Sequence, residues 1–259
     1  MPAAATAPRR NVSREDLESL LRVRKLDHTF NAAHDASGSP RDTGRWLVPT
    51  GIAELDGRLE GGIPRGHLSE VVGPRTSGRL ALVVSALAGA TGRGEAVALI
   101  DPLDMFDPVS AAANGVDFTR MLWVRGESTS SARASLSCDY GTLQKSMDRA
   151  VKALNLVLQA GGFGLVALDL GEVAPQAIKR LPYTTWLRLH RVIEGSETAC
   201  VLIGSEPMTR SAGGVSVLLS RPPGQRPYSE TFWSSARVVR SRALETDRHV
   251  CVSLSAPAC

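Results

Sequence analysis

From Trp46 onward the chain alternates between two hydrophobic rhythms. HLSEVVG, AVALIDP and RMLWVRG read as strands, GFGLVALDL as an almost continuously apolar strand, and TACVLIGS as one more buried strand. Between them apolar residues recur at helical spacing, in Leu80 to Ala88 and in Leu143, Met147, Val151, Leu154 and Leu158. A short helix is expected over Pro108 to Asn114, and helical material interrupted by Pro182 over Ala177 to Glu194. Upstream, WLVPTGIAELDGRLEGGIPRG predicts a short strand, a helix around Ile52 to Leu59 and a Gly/Pro turn. Strands alternating with helices imply an α/β fold with a mostly parallel central sheet covered on both faces. The last part, VSVLLSR, SETFWSSARVVRSRAL and HVCVSLS, predicts carboxyl-terminal antiparallel edge strands.

Ahead of this core, SREDLESLLRVRKLD at residues 13–27 sets a serine cap before acidic first-turn residues, with Leu17, Leu20 and Leu21 on one apolar face of an amino-terminal helix. Residues 31–45 are rich in turn formers and predict a flexible link. The expected organisation is helix and linker over 1–45, core over 46–243, and a final strand and tail over 244–259.

With 43% hydrophobic and 22% charged residues, the chain can bury a sizeable core. The opening MPAAATAPRR is followed by no apolar run, and no stretch is apolar enough to cross a bilayer, so a cytoplasmic location without membrane contact is expected. Cys138, Cys200, Cys251 and Cys259 are too scattered for a zinc site or a disulfide framework, and Cys200 is expected in the core. A net charge of +4 permits a polyanionic partner without requiring one.

The stretch HLSEVVGPRTSGRLALVVSALAG has the order a phosphate cradle needs: a strand, a glycine turn, and a helix whose first N–H groups face the anion. Gly73 and Gly78 bracket the turn and Ser77 precedes the second glycine. Arg79 stands in the lysine place of the motif, and Leu80 in that of the magnesium-binding hydroxyl. An arginine fork can hold phosphate but does not replace a compact ammonium, and leucine binds no magnesium. Weak nucleotide affinity and a purely structural turn both fit this pattern. Asp169, at the tip of a buried apolar run, is either a magnesium-orienting acid or an ordinary strand-end aspartate. Asp101 can face the same pocket, while Asp107 before Pro108 also reads as a helix cap. No nucleophile motif and no histidine grouping gives a stronger case for an enzyme, and no catalytic residue is assigned.

Taken in order, TGIAELDGRLEGGIPRGHLSEVVGPRTSG, VALIDPLDMFDPVSAAANGVDFTRMLWVR, LVALDLG, ACVLIGS and FWSSARVVRSR resemble the RecA recombinase superfamily over most of residues 46–243. The resemblance implies a RecA-like P-loop NTPase core. It also sets Leu103 where active members carry the glutamate that activates water, Ser110 near the adenine-stacking tyrosine, and Ser205 at the polar switch position. Leucine cannot accept that proton. This combination is similar to the ImuA group, also described as SulA-like: short RecA relatives that accompany an inactive Y-family polymerase homologue, ImuB, and an error-prone replicative-type polymerase in damage-induced mutagenesis. The implied role is an adaptor in translesion synthesis, hydrolysing ATP weakly or not at all, with weak ATP or ADP binding left open and no metal assigned. The alternatives are an ATP-dependent DNA-binding recombination enzyme and a regulatory inhibitor of cell division or a polymerase.

In the matching region, GSEPMTRSAGG corresponds to the mobile DNA-contacting loop of RecA relatives, with Arg210 as a phosphate contact or a solvated residue. Arg237, Arg240 and Arg242 make a basic strip in which Arg240 and Arg242, two apart on a strand, share a face. Such a strip would grip DNA backbone with little sequence choice, or be a charged edge in solvent. Trp186 is expected against the sheet. Phe232 and Trp233 point to opposite sides of their strand, which makes Trp233 an interface candidate. The amino-terminal helix is another, through self-association by Leu17, Leu20 and Leu21.

Overall fold

The computed structural model describes residues 46–126, 140–209, 213–221, 231–241, 246 and 249–255, all within one compact unit, Thr43–Cys259. The helix expected over 13–27 with Leu17, Leu20 and Leu21, the link over 31–45, Arg210 and Arg242 lie outside the described residues. Trp233 is described as a backbone position only.

Two short strands, β1 (Leu47–Val48) and β2 (Ile63–Pro64), pair antiparallel on either side of α1 (Ala53–Arg58). The chain then runs through β3 (Leu68–Val72), α2 (Arg79–Gly92), β4 (Ala96–Asp101), α3 (Pro108–Ala113) and β5 (Met121–Arg125). Next come α4 (Tyr140–Ala160), β6 (Phe163–Asp169), α5 (Pro175–Lys179), α6 (Tyr183–Ile193) and β7 (Ala199–Gly204). The last elements are β8 (Ser216–Ser220), β9 (Thr231–Arg240) and β10 (His249–Ser255).

These strands form one eight-stranded sheet in the order β10-β9-β8-β3-β7-β6-β4-β5. Every pairing from β8 to β5 is parallel, and β9 and β10 join antiparallel. The α/β class with a mostly parallel sheet is therefore the observed one. The exception to the expectation is β8, which pairs parallel to β3, with Glu70 opposite Ser216. The sequence between β7 and β8, residues 205–215, has about the dozen residues that a parallel crossover needs. Alternation within VSVLLSR is the same for either direction, so the pattern could not distinguish them.

Each sheet face has its own core. On one, Leu82, Val83, Ala86, Leu87 and Ala90 of α2 pack with Val71, Val97, Leu99, Leu165 and Val201. On the other, Met147, Ala150 and Leu154 of α4 and Trp186 and Leu189 of α6 cover Ala98, Ile100, Val166, Leu168 and Leu202. Trp186 lies in the core as expected, and so does Cys200, whose thiol burial pushes up to about 12. Helix α2 runs to Gly92, beyond the expected Ala88, because burial of Ala90 and Thr91 outweighs the penalty of about 1 kcal/mol for Gly89 in a helix. Truncating fully buried Leu87 to alanine would cost about 2–5 kcal/mol. Pro182 separates α5 from α6, as its missing N–H requires.

Candidate functional site

The glycine turn between β3 and α2 is held from three strands. The Gly73 N–H donates to the Gly204 carbonyl of β7 at 3.1 Å. A Cβ on Gly73 would stand 2.3 Å from the Leu219 carbonyl oxygen of β8, so only glycine fits that approach. From β9, the Ser234 hydroxyl donates to the Ser77 carbonyl at 2.7 Å and lies 3.1 Å from the Ser220 carbonyl. Gly78 adopts φ 83 at the N-cap of α2, a left-handed conformation that completes the turn. The Ser77 hydroxyl is buried and has no hydrogen-bond partner among the described residues.

Arg79 does not project outward. Its guanidinium is buried, donates through one terminal nitrogen to the Gly73 carbonyl, and through the other to the Gly171 carbonyl at 2.6 Å and the Glu172 carboxylate at 2.8 Å. Gly171 lets the fork lie flat against the chain, since a Cβ there would be 2.7 Å from Nε. Arg75, on the outside of the turn, reaches the second Glu172 oxygen at 3.4 Å. Two arginines of the turn thus converge on one carboxylate of the same chain. Gly171 and Glu172 escape a sequence reading, although GE directly after the strand-end acid is a signal once charge pairs are sought. Leu80 packs against the core, so no oxygen stands in the metal-binding place.

The acids near this turn have structural tasks. Asp169, at the end of β6, accepts the Gly171 N–H at 2.8 Å, and burial pushes its carboxyl up to about 6. The negative charges of Asp101 and Glu172 act in the same direction, opposed by the Gly171 hydrogen bond and by Arg79. Asp101 uses both oxygens within its own turn, on Met105 N–H at 3.0 Å and Phe106 N–H at 2.9 Å. Asp104 is paired through both oxygens with Arg125, at 2.7 and 2.9 Å. Asp107 caps α3 by accepting Val109 N–H, and Ser110 donates its hydroxyl to Asp107. Leu103 packs into the apolar layer beneath α4 and α6. Ser205 has a buried hydroxyl without a hydrogen-bond partner among the described residues.

The basic strip divides. Arg240 donates to the Thr209 carbonyl and so anchors the loop after β7. Arg237 stands elsewhere along β9, opposite His249 of β10 and Leu218 of β8. The loop that Arg240 anchors has a second attachment missed in the sequence, the fully buried Glu70 of β3.

A central strand of a mostly parallel sheet, a glycine turn and a long helix, followed by a strand-end acid on the next strand but one, define a RecA-like core. A family model described as the RecA N-terminal domain matches residues 38–136. Protein RecA of Chlorobaculum tepidum is 39% identical over 133 residues, which is 51% of this chain and 33% of that one. Protein RecA of Ruminococcus albus is 28% identical over 197 residues, 74% of this chain and 46% of its own length. Protein RecA of Prochlorococcus marinus (strain MIT 9303) is 43% identical over 74 residues, 29% of this chain and 20% of that one. The chain is a RecA-related protein, and it spans less than half the length of these relatives. No helix among the described residues is long and apolar enough to cross a membrane.

Proposed function

We propose that this chain is a RecA-like adaptor, hydrolysing ATP weakly or not at all, that recruits or stabilises an error-prone translesion synthesis complex during the DNA damage response. One observation carries the reading: the arginine in the lysine place is turned inward, onto Gly73, Gly171 and Glu172. An arginine so committed is withheld from a γ-phosphate, and phosphoryl transfer depends on positioned charge and metal at that phosphate. Leu80 and Leu103 remove the hydroxyl and the carboxylate that the RecA pattern provides for magnesium and water. The phosphate turn then serves as a tie between β3 and β6, and the surface of the fold becomes the functional part. The resemblance to the ImuA group supplies the partners: an ImuB-like inactive Y-family polymerase homologue and an error-prone replicative-type polymerase. DNA contact through Arg237, and self-association through the segment at 13–27, belong to the same proposal.

The test is to purify the chain with and without the ImuB-like partner and measure ATP binding and phosphate release, with single-stranded DNA present and absent. A stable complex with background turnover is the expected result. Robust DNA-stimulated release would overturn the adaptor reading in favour of an ATP-dependent recombination enzyme, and a tight partner outside the mutagenesis complex would favour a regulatory inhibitor.

A further inference from the structure

The turn that should receive phosphate already holds an anion, supplied by the chain. Arginine forks at a glycine turn, with helix N–H groups behind them, are the chemistry that grips a phosphate chain. Here the Glu172 carboxylate has that place, on Arg79 at 2.8 Å and Arg75 at 3.4 Å. The pair is unequally exposed: the Arg79 side chain retains 5% of its accessible surface and Glu172 31%, so the acid is the member that solvent can reach and that can leave. Inside the turn, the buried Ser77 hydroxyl has no partner among the described residues, and it lies 2.6 Å from where a Cβ on Gly73 would sit. It is a buried polar group of the turn that the chain's own carboxylate does not satisfy.

We infer that Glu172 is an affinity-determining internal competitor, which a triphosphate anion must displace from Arg79 and Arg75 to enter the turn. The inference rests on the reading of this turn as a site that does not hydrolyse, and adds what regulates its occupancy. Being part of the chain, Glu172 meets the arginines at a high effective concentration and keeps free anions weakly bound. Displacing it would also release the turn at residues 170–173 from α2, since Arg79 bonds Gly171 and Glu172 together. Because Leu80 offers no metal ligand, the phosphate chain would be held by arginine and backbone alone, without magnesium.

The experiment is calorimetric titration of the full chain with inorganic tripolyphosphate and, separately, with ATP, both in EDTA, for the wild type, Glu172→Gln and the Glu172→Gln/Arg79→Ala double variant. Glutamine keeps the shape of the side chain and removes its charge. The expected result is about tenfold tighter binding by Glu172→Gln, from release of a charge-assisted hydrogen bond, lost again in the double variant. Equal gains for both probes identify the phosphate chain as the ligand, and a gain for ATP alone also supports displacement but adds recognition of the base. A folded Glu172→Gln that binds neither probe more tightly than the wild type overturns the inference. Should Glu172→Gln not fold, hydrogen exchange of the wild type decides: faster exchange at residues 170–173 with tripolyphosphate supports displacement, and unchanged or slower exchange overturns it. Neither measurement reads phosphate release or partner association, so failure here leaves the adaptor reading standing.

Discussion

Glu70 and Thr209, 139 positions apart in the chain, meet in the core: the Glu70 carboxylate accepts the Thr209 N–H at 2.6 Å. The same carboxylate accepts Met208 N–H at 2.8 Å and the Ser216 hydroxyl at 2.8 Å. Glu70 is fully buried on β3, the strand that enters the glycine turn, and its partners belong to the loop after β7 and the start of β8. Arg240 of β9 holds the Thr209 carbonyl from the other side. The loop after β7 is thus anchored at residues 208–209 to the same strand that carries the glycine turn.

Removing that anchor should be costly. Glu70→Ala leaves two buried donors, the Thr209 N–H and the Ser216 hydroxyl, and the half-buried Met208 N–H without an acceptor; each buried orphan costs about 1–3 kcal/mol, so a loss of about 2 kcal/mol or more is expected in urea melts. Glu70→Gln keeps one acceptor oxygen and should lose about half as much. A loss below about 1 kcal/mol for the alanine variant would mean that water takes over the role.

Arg79→Lys should destabilise the fold although it restores the residue type of the phosphate motif. A lysine has no planar fork with which to reach Gly73, Gly171 and Glu172 together, and the loss should be about 1–3 kcal/mol in thermal or urea melts. Unchanged stability would show that the guanidinium contacts contribute nothing net.

Burial pushes the Asp169 carboxyl up from its ordinary value of 3.8 to about 6. A carboxyl whose folded pKa is raised is protonated more readily in the folded state than in the unfolded one. Its contribution therefore favours folding at acid pH and is lost as pH rises from about 4 to about 6. Asp169→Asn removes this penalty and should gain up to about 3 kcal/mol at pH 7, flattening the stability profile across that window. A variant less stable than the wild type at pH 7 would show that the ionised carboxylate has a favourable partner.

Leu103→Glu should not restore hydrolysis. A carboxylate at that place can orient water, but Leu80 still offers no magnesium ligand and Arg79 still faces Glu172. Phosphate release should stay at background with magnesium and single-stranded DNA. Turnover in this single variant would show that the missing metal ligand is bypassed.

Most of the element order was legible because the signals are local. β6 and β7 are nearly unbroken apolar runs, Pro182 breaks a helix by geometry, and Asp107 before Pro108 caps α3 as the residue types require. The glycine turn was legible too, since Gly73 and Gly78 are demanded by backbone approach and by left-handed φ. Asp101 was not: facing the pocket and closing its own turn look alike until the Met105 and Phe106 N–H groups are in place.

The sequence by itself determined the α/β class, the near-continuous strands, the glycine turn at the start of α2 and an apolar side chain, Leu80, in the hydroxyl place of the phosphate motif. These follow from side-chain chemistry and from spacings of a few residues. Only the tertiary structure decided that β8 runs parallel to β3, that Arg79 turns inward to Glu172, and that Glu70 holds the loop after β7. The physical reason is the strand order: with β7 between them, β3 and β6 bring their carboxyl ends within reach of one arginine, joining residues 93 positions apart that no local pattern connects.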